Sequence, residues 1–407
     1  ALAAVAFVFN VLVLPRIGGR RLYRPVDNAR GFPLGILLYP LAVLLLILTF
    51  SSRLDIAAAA WGILAFGDGA ATLAGTRFRG RALPWNAEKS VAGSVSFAVC
   101  AGVGGIALAW WTRPGGSIWF VTLAPIAAAI AAALVESMPV RLDDNISVPV
   151  VAGGVLWIAS LMTVAACVSA APAVATRLPW ALALNVLVAW VGHRARTVST
   201  SGAIAGALVG AAIYAGGGAA AWALLLLTFV LASVTSRLGL KRKMLLGISE
   251  EHGGRRGVGN AVANCGVAAI AALAAVSTSE PAGALLALTV ALTAAGSDTV
   301  ASEIGKSWGR STFLITTLGR VPAGTSGAMS LEGTAAGLIA ALALASVAAA
   351  SGLIAGGQIL LVVAAATAGA LVESALGATL EGPGILNNDM LNFINTAIAA
   401  AVALVFV

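Results

Sequence analysis

Charged side chains are scarce in this 407-residue sequence: 24 Lys and Arg and 16 Asp and Glu amount to 10% of it. A soluble domain carries about 25% charge. So few charges could not coat a water-exposed surface of this size, and the bilayer must be the main solvent. Cysteine and histidine are scarcer still. Cys100, Cys167 and Cys265 stand singly in apolar runs, which argues against a disulfide framework or a thiolate metal site. His193 and His252 lie far apart in charged loops and read as ordinary loop residues. Long polar segments are missing too. The longest are 76–89, 237–257 and 305–329, each the size of a structured loop or short re-entrant segment, so no soluble domain is expected. Ala1 is not an initiator Met and no cleavable signal pattern is visible, so an N-terminus further upstream is expected.

Apolar residues supply 60% of the chain, and mean hydropathy is +0.98. A helix crossing the hydrocarbon core needs roughly 20 such residues. About fourteen windows qualify: 1–15, 33–50, 55–75, 90–112, 116–137, 146–171, 178–193, 200–216, 218–236, 257–277, 281–304, 330–350, 353–376 and 388–407. The expectation is therefore an all-α polytopic membrane protein. Of the 24 basic residues, 21 fall in loops after odd-numbered spans; the exceptions are Arg53, Arg113 and Arg177. Short cytoplasmic loops are enriched in Lys and Arg, so the odd loops are expected in the cytoplasm, in a bacterial inner membrane. The net charge of +8 and pI of about 10.1 then reflect topology and not a nucleic-acid partner. The charged, Gly-containing run at 249–257 reads as a solvated connector.

An internal repeat is visible. Gly67-Asp68-Gly69, Lys89-Ser90-x-x-Gly93-Ser94, Glu136-Ser137 and Asp143-Asp144-Asn145 recur in order as Ser297-Asp298-Thr299, Met329-Ser330-x-x-Gly333-Thr334, Glu373-Ser374 and Asn387-Asn388-Asp389. The two Asp residues fall on the third and eleventh windows, an even number of crossings apart, so two related halves of parallel orientation are expected.

Ionisable residues at or inside membrane spans are expensive and are functional candidates. Asp68, Glu136, Asp298, Glu303 and Glu373 all end apolar windows on the expected cytoplasmic side, where only Asp55 and Glu280 of the acids are absent. Clustered carboxylates with Asn suit Mg²⁺, an oxygen-seeking cation that bridges to substrate phosphates. Asp68, Glu136, Asp144 and Asn145 form one candidate metal set; Asp298, Glu303, Glu373, Asn388 and Asp389 form the other. Ser90 and Gly93 open a helix after a basic loop, and helix N-termini bind phosphate. Lys89 adds a point charge, with Gly75 and Arg77 nearby in sequence. In the second half Met329 replaces the lysine. There Lys306, Arg320, Thr325, Ser326, Gly327 and Ser330 are the candidate nucleotide-phosphate residues. Phosphoryl transfer needs chiefly positioning and charge neutralisation, and the candidate catalytic residues are Asp68, Lys89, Asp144, Asp298 and Glu303. A base for an alcohol acceptor could be Asp68 or Asp144. The acceptor should be lipidic, its tail between Ala/Gly-rich helices and its head at the polar rim.

Residues 15–170 resemble the phytol kinase and dolichol kinase group, distantly similar to phosphatidate cytidylyltransferases. The resemblance rests on Gly35 through Pro40, Gly67 through Ala71 with Gly75, Pro84, Lys89-Ser90-x-x-Gly93-Ser94, and Glu136-Ser137 with Asp143 through Pro149. Residues 180–407 resemble the phytyl phosphate kinase family, through Ser201-Gly202, Arg255 through Asn264, Asp298 through Gly305, Ile315-Thr316-Thr317, Val321 through Gly327, Ser330 through Thr334, and Glu373-Ser374 with Asn388-Asp389-x-x-Asn392. The resemblance implies a fusion of two CTP-dependent, Mg²⁺-requiring kinases, with domains 1–172 and 173–407. The first would phosphorylate an isoprenoid alcohol such as phytol, and the second would convert the monophosphate to the diphosphate. The loop at 249–256 carries fewer lysines than the resemblance leads one to expect. A CDP-lipid-forming cytidylyltransferase and a secondary transporter with parallel repeats are the alternatives. Transporter sites lie near the bilayer midplane, whereas these acids end their windows.

Overall fold

The computed structural model describes residues 2–17, 33–78, 80–84, 86–138, 143–239 and 256–406. The basic residues expected in loops at 20–30, 79, 141 and 241–255, and most of the connector at 249–257, lie outside the described residues. Among those described, the chain forms thirteen α-helices and two short β-hairpins, in two compact units, Ala1–Leu161 and Met162–Val407.

The first unit holds α1 (Leu2–Leu12), α2 (Leu34–Thr49), α3 (Leu54–Phe78), β1 (Ala82–Leu83), β2 (Asn86–Ser90), α4 (Val91–Thr112), α5 (Trp119–Glu136) and α6 (Asp144–Leu161). Its core is Ile56, Ile63, Leu64, Phe97 and Leu156, each at most 1% exposed. Small residues let α3 and α4 approach backbone to backbone, as membrane helices do. A Cβ at Gly62 would lie 2.6 Å from the Gly104 carbonyl oxygen. At one end of this unit Asp55 receives Arg53 Nη2 at 2.9 Å and Arg113 Nη1 at 3.0 Å, and both guanidinium groups lie over the Phe120 ring. Two of the three exceptional arginines are thus neutralised by an acid of their own.

The second unit holds α7 (Val164–Arg194), α8 (Thr200–Arg237), α9 (Val258–Ser277), α10 (Pro281–Trp308), β3 (Thr312–Leu314), β4 (Ala328–Ser330), α11 (Leu331–Ala350), α12 (Gly356–Glu381, with a 3₁₀ turn at its start and a π turn at its end) and α13 (Asn388–Val405). Its centre is α10, whose Leu286, Leu288 and Leu292 pack with Leu224 of α8 and Leu344 of α11.

Eleven of the thirteen helices are long and apolar enough to cross a membrane, and α1 and α2 are shorter. Among the described residues each of the fourteen windows falls on a helical segment, and one boundary between windows moves. The expected loop at 172–177 does not exist, because α7 runs unbroken from Val164 to Arg194 through Pro172 and Pro179. Arg177 is therefore a helix residue; its guanidinium reaches the carbonyls of Ala215 and Gly216 at 3.4 Å. The windows 200–216 and 218–236 are the two helical legs of α8, which meet at Gly218, whose φ of 76° is open to glycine. The break reverses the chain. Arg256 contacts both ends of α8: its carbonyl accepts from Ser199 N at 3.0 Å, and its guanidinium donates to Ser236 Oγ at 3.3 Å. A straight helix of 38 residues would separate those ends by about 57 Å. The hairpin turns within one residue of the boundary between the two windows.

Candidate functional site

In the second unit the last turns of α10 are polar although the helix is the most enclosed of the bundle. They carry Asp298, Thr299, Ser302, Glu303 and Lys306 into a cavity of about 260 Å³. Glu373 and Ser374 of α12, Asn388 and Asn392 of α13, and Arg256, Asn260 and Asn264 at the start of α9 complete the wall. Asp298 and Glu373 lie within hydrogen-bonding reach of each other, with Asn395 beside Glu373. Glu373 Oε2 is buried with no hydrogen-bond partner. Lys306 Nζ stands 3.5 Å from Glu303 Oε1, and Glu303 is 2% exposed.

The β3–β4 hairpin brings the loop Thr325-Ser326-Gly327 to the same cavity. Gly327 has φ of 70° and packs against the Ser374 carbonyl and Ala378 backbone. A side chain there would meet both the strained φ and that backbone. The hairpin hands over to α11 through Ser330, whose Oγ accepts from Gly333 N at 3.0 Å, a helix N-cap.

Of the residues expected here, Asp298, Glu303, Lys306, Thr325, Ser326, Gly327, Ser330, Glu373 and Asn388 line one cavity. Two do not line it. Arg320 lies over the Phe313 ring within the hairpin, 5.9 Å from its centroid, and Asp389 packs its carboxylate against Gly259 in the first turn of α9. Arg256, Asn260 and Asn264 were not singled out as site residues, although their spacing of four puts them on one helix face.

A second cavity, of about 130 Å³ and mostly apolar, adjoins the first. Arg256, Asn260, Asn264 and Thr299 belong to the walls of both.

In the first unit Lys89, at the end of β2, forms ion pairs with Glu136 at the end of α5 and with Asp144 Oδ2 at the start of α6, the latter at 3.2 Å. Burial pulls the Lys89 ammonium down, but its hydrogen bond to Glu136 and the charge of Asp144 outweigh it and hold the group above its ordinary 10.5. Asp68, half-exposed on α3, acts on Glu136 through its charge. Asn86 ties the hairpin to α5, donating to the Ser137 carbonyl at 3.1 Å. Ser90 N-caps α4 through Gly93 N at 3.1 Å. Gly93 lies against the Ala71 carbonyl and Gly75 where α3 and α4 cross, so Gly75 and Gly93 make this helix contact. Arg77 is exposed in the last turn of α3. Asn145 Nδ2 donates to Asp143 Oδ1 at 2.7 Å, closing the first turn of α6.

Among the described residues no three His, Cys, Asp or Glu side chains converge to hold a metal ion by themselves. Two carboxylates facing each other still fit Mg²⁺, which is held by one or two carboxylates and completed by substrate phosphates. Asp298 and Glu373 meet that description. They cannot both ionise side by side without a neighbouring cation, and one Glu373 oxygen is unpartnered. In the first unit Glu136 and Asp144 are already matched by Lys89.

These features define an α-helical integral membrane protein with a polar, acid-bearing cavity at helix ends. The chain belongs to the integral membrane protein family DUF92, which it matches over residues 183–400. It is 42% identical over 200 residues to the Synechocystis membrane protein sll0875, covering 48% of this chain and 78% of that one. It is 35% identical over 233 residues to the chloroplastic protein VTE6 of Arabidopsis thaliana, covering 55% and 70%. Chloroplastic phytol kinase 1 of Arabidopsis thaliana is 36% identical over 121 residues, 28% of this chain and 40% of that enzyme. No solved structure matches.

Proposed function

We propose that the chain is a CTP-dependent prenyl kinase with two sites, one phosphorylating an isoprenoid alcohol and one phosphorylating the resulting monophosphate. The observation that carries this reading is the cavity of the second unit, where facing carboxylates, a lysine, a serine-capped helix start and a glycine-containing loop share one wall. Such a wall suits a nucleoside triphosphate with Mg²⁺, because phosphoryl transfer is chiefly positioning and neutralisation of charge. Similarity to a phytol kinase supports a prenyl acceptor.

The same local device occurs in the first unit. Gly93 meets Ala71, Gly75 and Ser90, and Gly333 meets Ala301, Gly305 and Ser330, with Ala71 and Gly75 placed after Asp68 as Ala301 and Gly305 are after Asp298. This supports two related halves, Ala1–Leu161 and Met162–Val407, each with a site of its own. Asp298 and Glu373 would hold Mg²⁺ in the second site. Asp68 and Asp144, with Glu136 and Asn145, would do so in the first when Lys89 turns toward phosphate. The bound ion supplies neutralisation of triphosphate charge. An acceptor oxygen forms the new bond to the γ-phosphorus, and the bond to the β,γ-bridging oxygen breaks to release CDP. An alcohol must also lose its proton, to Asp68 or Asp144, whereas an ionised monophosphate needs no base.

The test is incubation of the purified protein with CTP, Mg²⁺ and phytol or geranylgeraniol. Mono- and diphosphate with CDP are expected. Release of pyrophosphate and a CDP-lipid would replace this reading by a cytidylyltransferase.

A further inference from the structure

The apolar cavity of the second unit has a shape that the nucleotide does not require. Its walls are α7, both legs of α8, α9 and α10. Trp222 and Ala232 both line it, and ten residues of helix separate them by about 15 Å. The cavity is therefore an elongated apolar slot. One end carries Arg256, Asn260, Asn264 and Thr299, shared with the polar cavity. Arg256 is braced there by Ser236 and by the Phe229 ring, 5.8 Å from its guanidinium carbon.

The other end is barred. Trp222 Nε1 donates to Asn185 Oδ1 at 3.0 Å, linking α8 to α7 across the slot. Asn185 is 5% exposed, and its amide donates to the Ala181 carbonyl at 2.7 Å. Tyr214 meets the Trp222 ring edge to face, centroids 6.2 Å apart. Held by Asn185 of α7 and by Tyr214 of the first leg of α8, the Trp222 side chain is a rigid stop.

Resting on the kinase reading of the adjoining cavity, we propose that this slot is the acceptor site for a single-tailed prenyl monophosphate. Arg256 receives its phosphate, and Trp222 limits the length of its tail. Guanidinium binds phosphate in bidentate fashion, and an elongated apolar slot matches one extended prenyl tail. Affinity then rises with each isoprene unit until the tail reaches Trp222.

The experiment is binding of geranyl, farnesyl, geranylgeranyl and the next longer prenyl monophosphate to the full-length protein in nanodiscs without nucleotide, each compared with its alcohol. In the natural protein affinity should climb severalfold per unit and then level off. Trp222→Ala should move that plateau to a longer tail, and Leu225→Ala, which widens the same slot while keeping the Trp222–Asn185 bond, should leave it in place. Arg256→Gln should weaken each monophosphate about tenfold or more and its alcohol little. An unchanged plateau in a Trp222→Ala protein with normal thermal unfolding overturns the stop. If Trp222→Ala does not fold, Trp222→Phe, which shortens the bar and keeps an aromatic ring, must shift the plateau or the stop is overturned. Equal loss of alcohol and phosphate in Arg256→Gln overturns the phosphate contact, and equal competition by phosphatidate overturns the single-tail assignment. Binding without any transfer from CTP would sink the kinase reading alone; transfer with no length dependence would sink this one alone.

Discussion

The acid clusters of the two units are built on the same local device and neutralised differently. In the first, the residue before the capping serine is Lys89, and its ammonium joins Glu136 and Asp144. In the second, the residue before the capping serine is Met329, paired with Phe313 across the hairpin. Asp298 and Glu373 are left to face each other, and Lys306 pairs with Glu303 instead. The first cluster therefore holds its lysine between two acids, whereas in the second Lys306 pairs with Glu303 and reaches Asp298 through its charge alone. In the proposed pair of reactions the difference has a use: an alcohol must be deprotonated among acids already balanced, while an anionic monophosphate is better met by an acid pair that recruits a divalent cation.

Removing one carboxylate from each cluster should give the largest effects and separate them by sign. Glu136→Gln and Glu373→Gln should each slow their own phosphorylation step about a hundredfold or more, the scale of lost electrostatic stabilisation, measured by product analysis with alcohol or monophosphate as acceptor. Their stabilities should diverge. Breaking the buried pair with Lys89 should destabilise the protein by about 3 kcal/mol, whereas relieving the Asp298–Glu373 opposition should be neutral or stabilising. Thermal unfolding in detergent measures both, and a shift of the same sign in both would break the comparison.

Exchanging the distinguishing residue comes next. Lys89→Met should lower the Mg²⁺ concentration needed by the alcohol step about tenfold, and Met329→Lys should raise that of the monophosphate step by a similar factor, about 1.4 kcal/mol each way. Glycine substitutions at the helix crossings follow. Gly93→Ala and Gly333→Ala should each cost about 1–3 kcal/mol through overpacking. Gly333 should cost more, because the Ala301 carbonyl lies closer to it than the Ala71 carbonyl does to Gly93. The smallest effect should be common to both units: Ser90→Ala and Ser330→Ala each remove an N-cap, about 1 kcal/mol by thermal unfolding. Lys89 itself sets a pH window. A raised native value means its stabilisation is complete below its ordinary 10.5 and is lost only as pH climbs through the higher one, so thermal unfolding should show the Lys89 contribution falling only at pH above 10.5.

Much of this was legible in the sequence because membrane helices announce themselves by length and apolarity, and because Asp298, Glu303, Lys306, Thr325, Ser330 and Glu373 stand in a fixed order that the fold converts into one cavity wall. What escaped was set by three-dimensional neighbours. Arg177 looked like a loop residue because hydropathy drops there, yet it serves carbonyls at the α8 reversal. Arg320 was counted with the phosphate residues on charge alone, and Phe313 holds it. Arg256, Asn260 and Asn264 were readable as one face of α9, but nothing in their spacing said which cavity that face would meet.

The most direct test follows γ-phosphate-labelled CTP into lipid products with Asp68→Ala and Asp298→Ala proteins. Asp68→Ala should make no monophosphate from geranylgeraniol yet convert supplied geranylgeranyl monophosphate to diphosphate, and Asp298→Ala should accumulate the monophosphate. Loss of both steps from either substitution, or of neither, would contradict two separate sites.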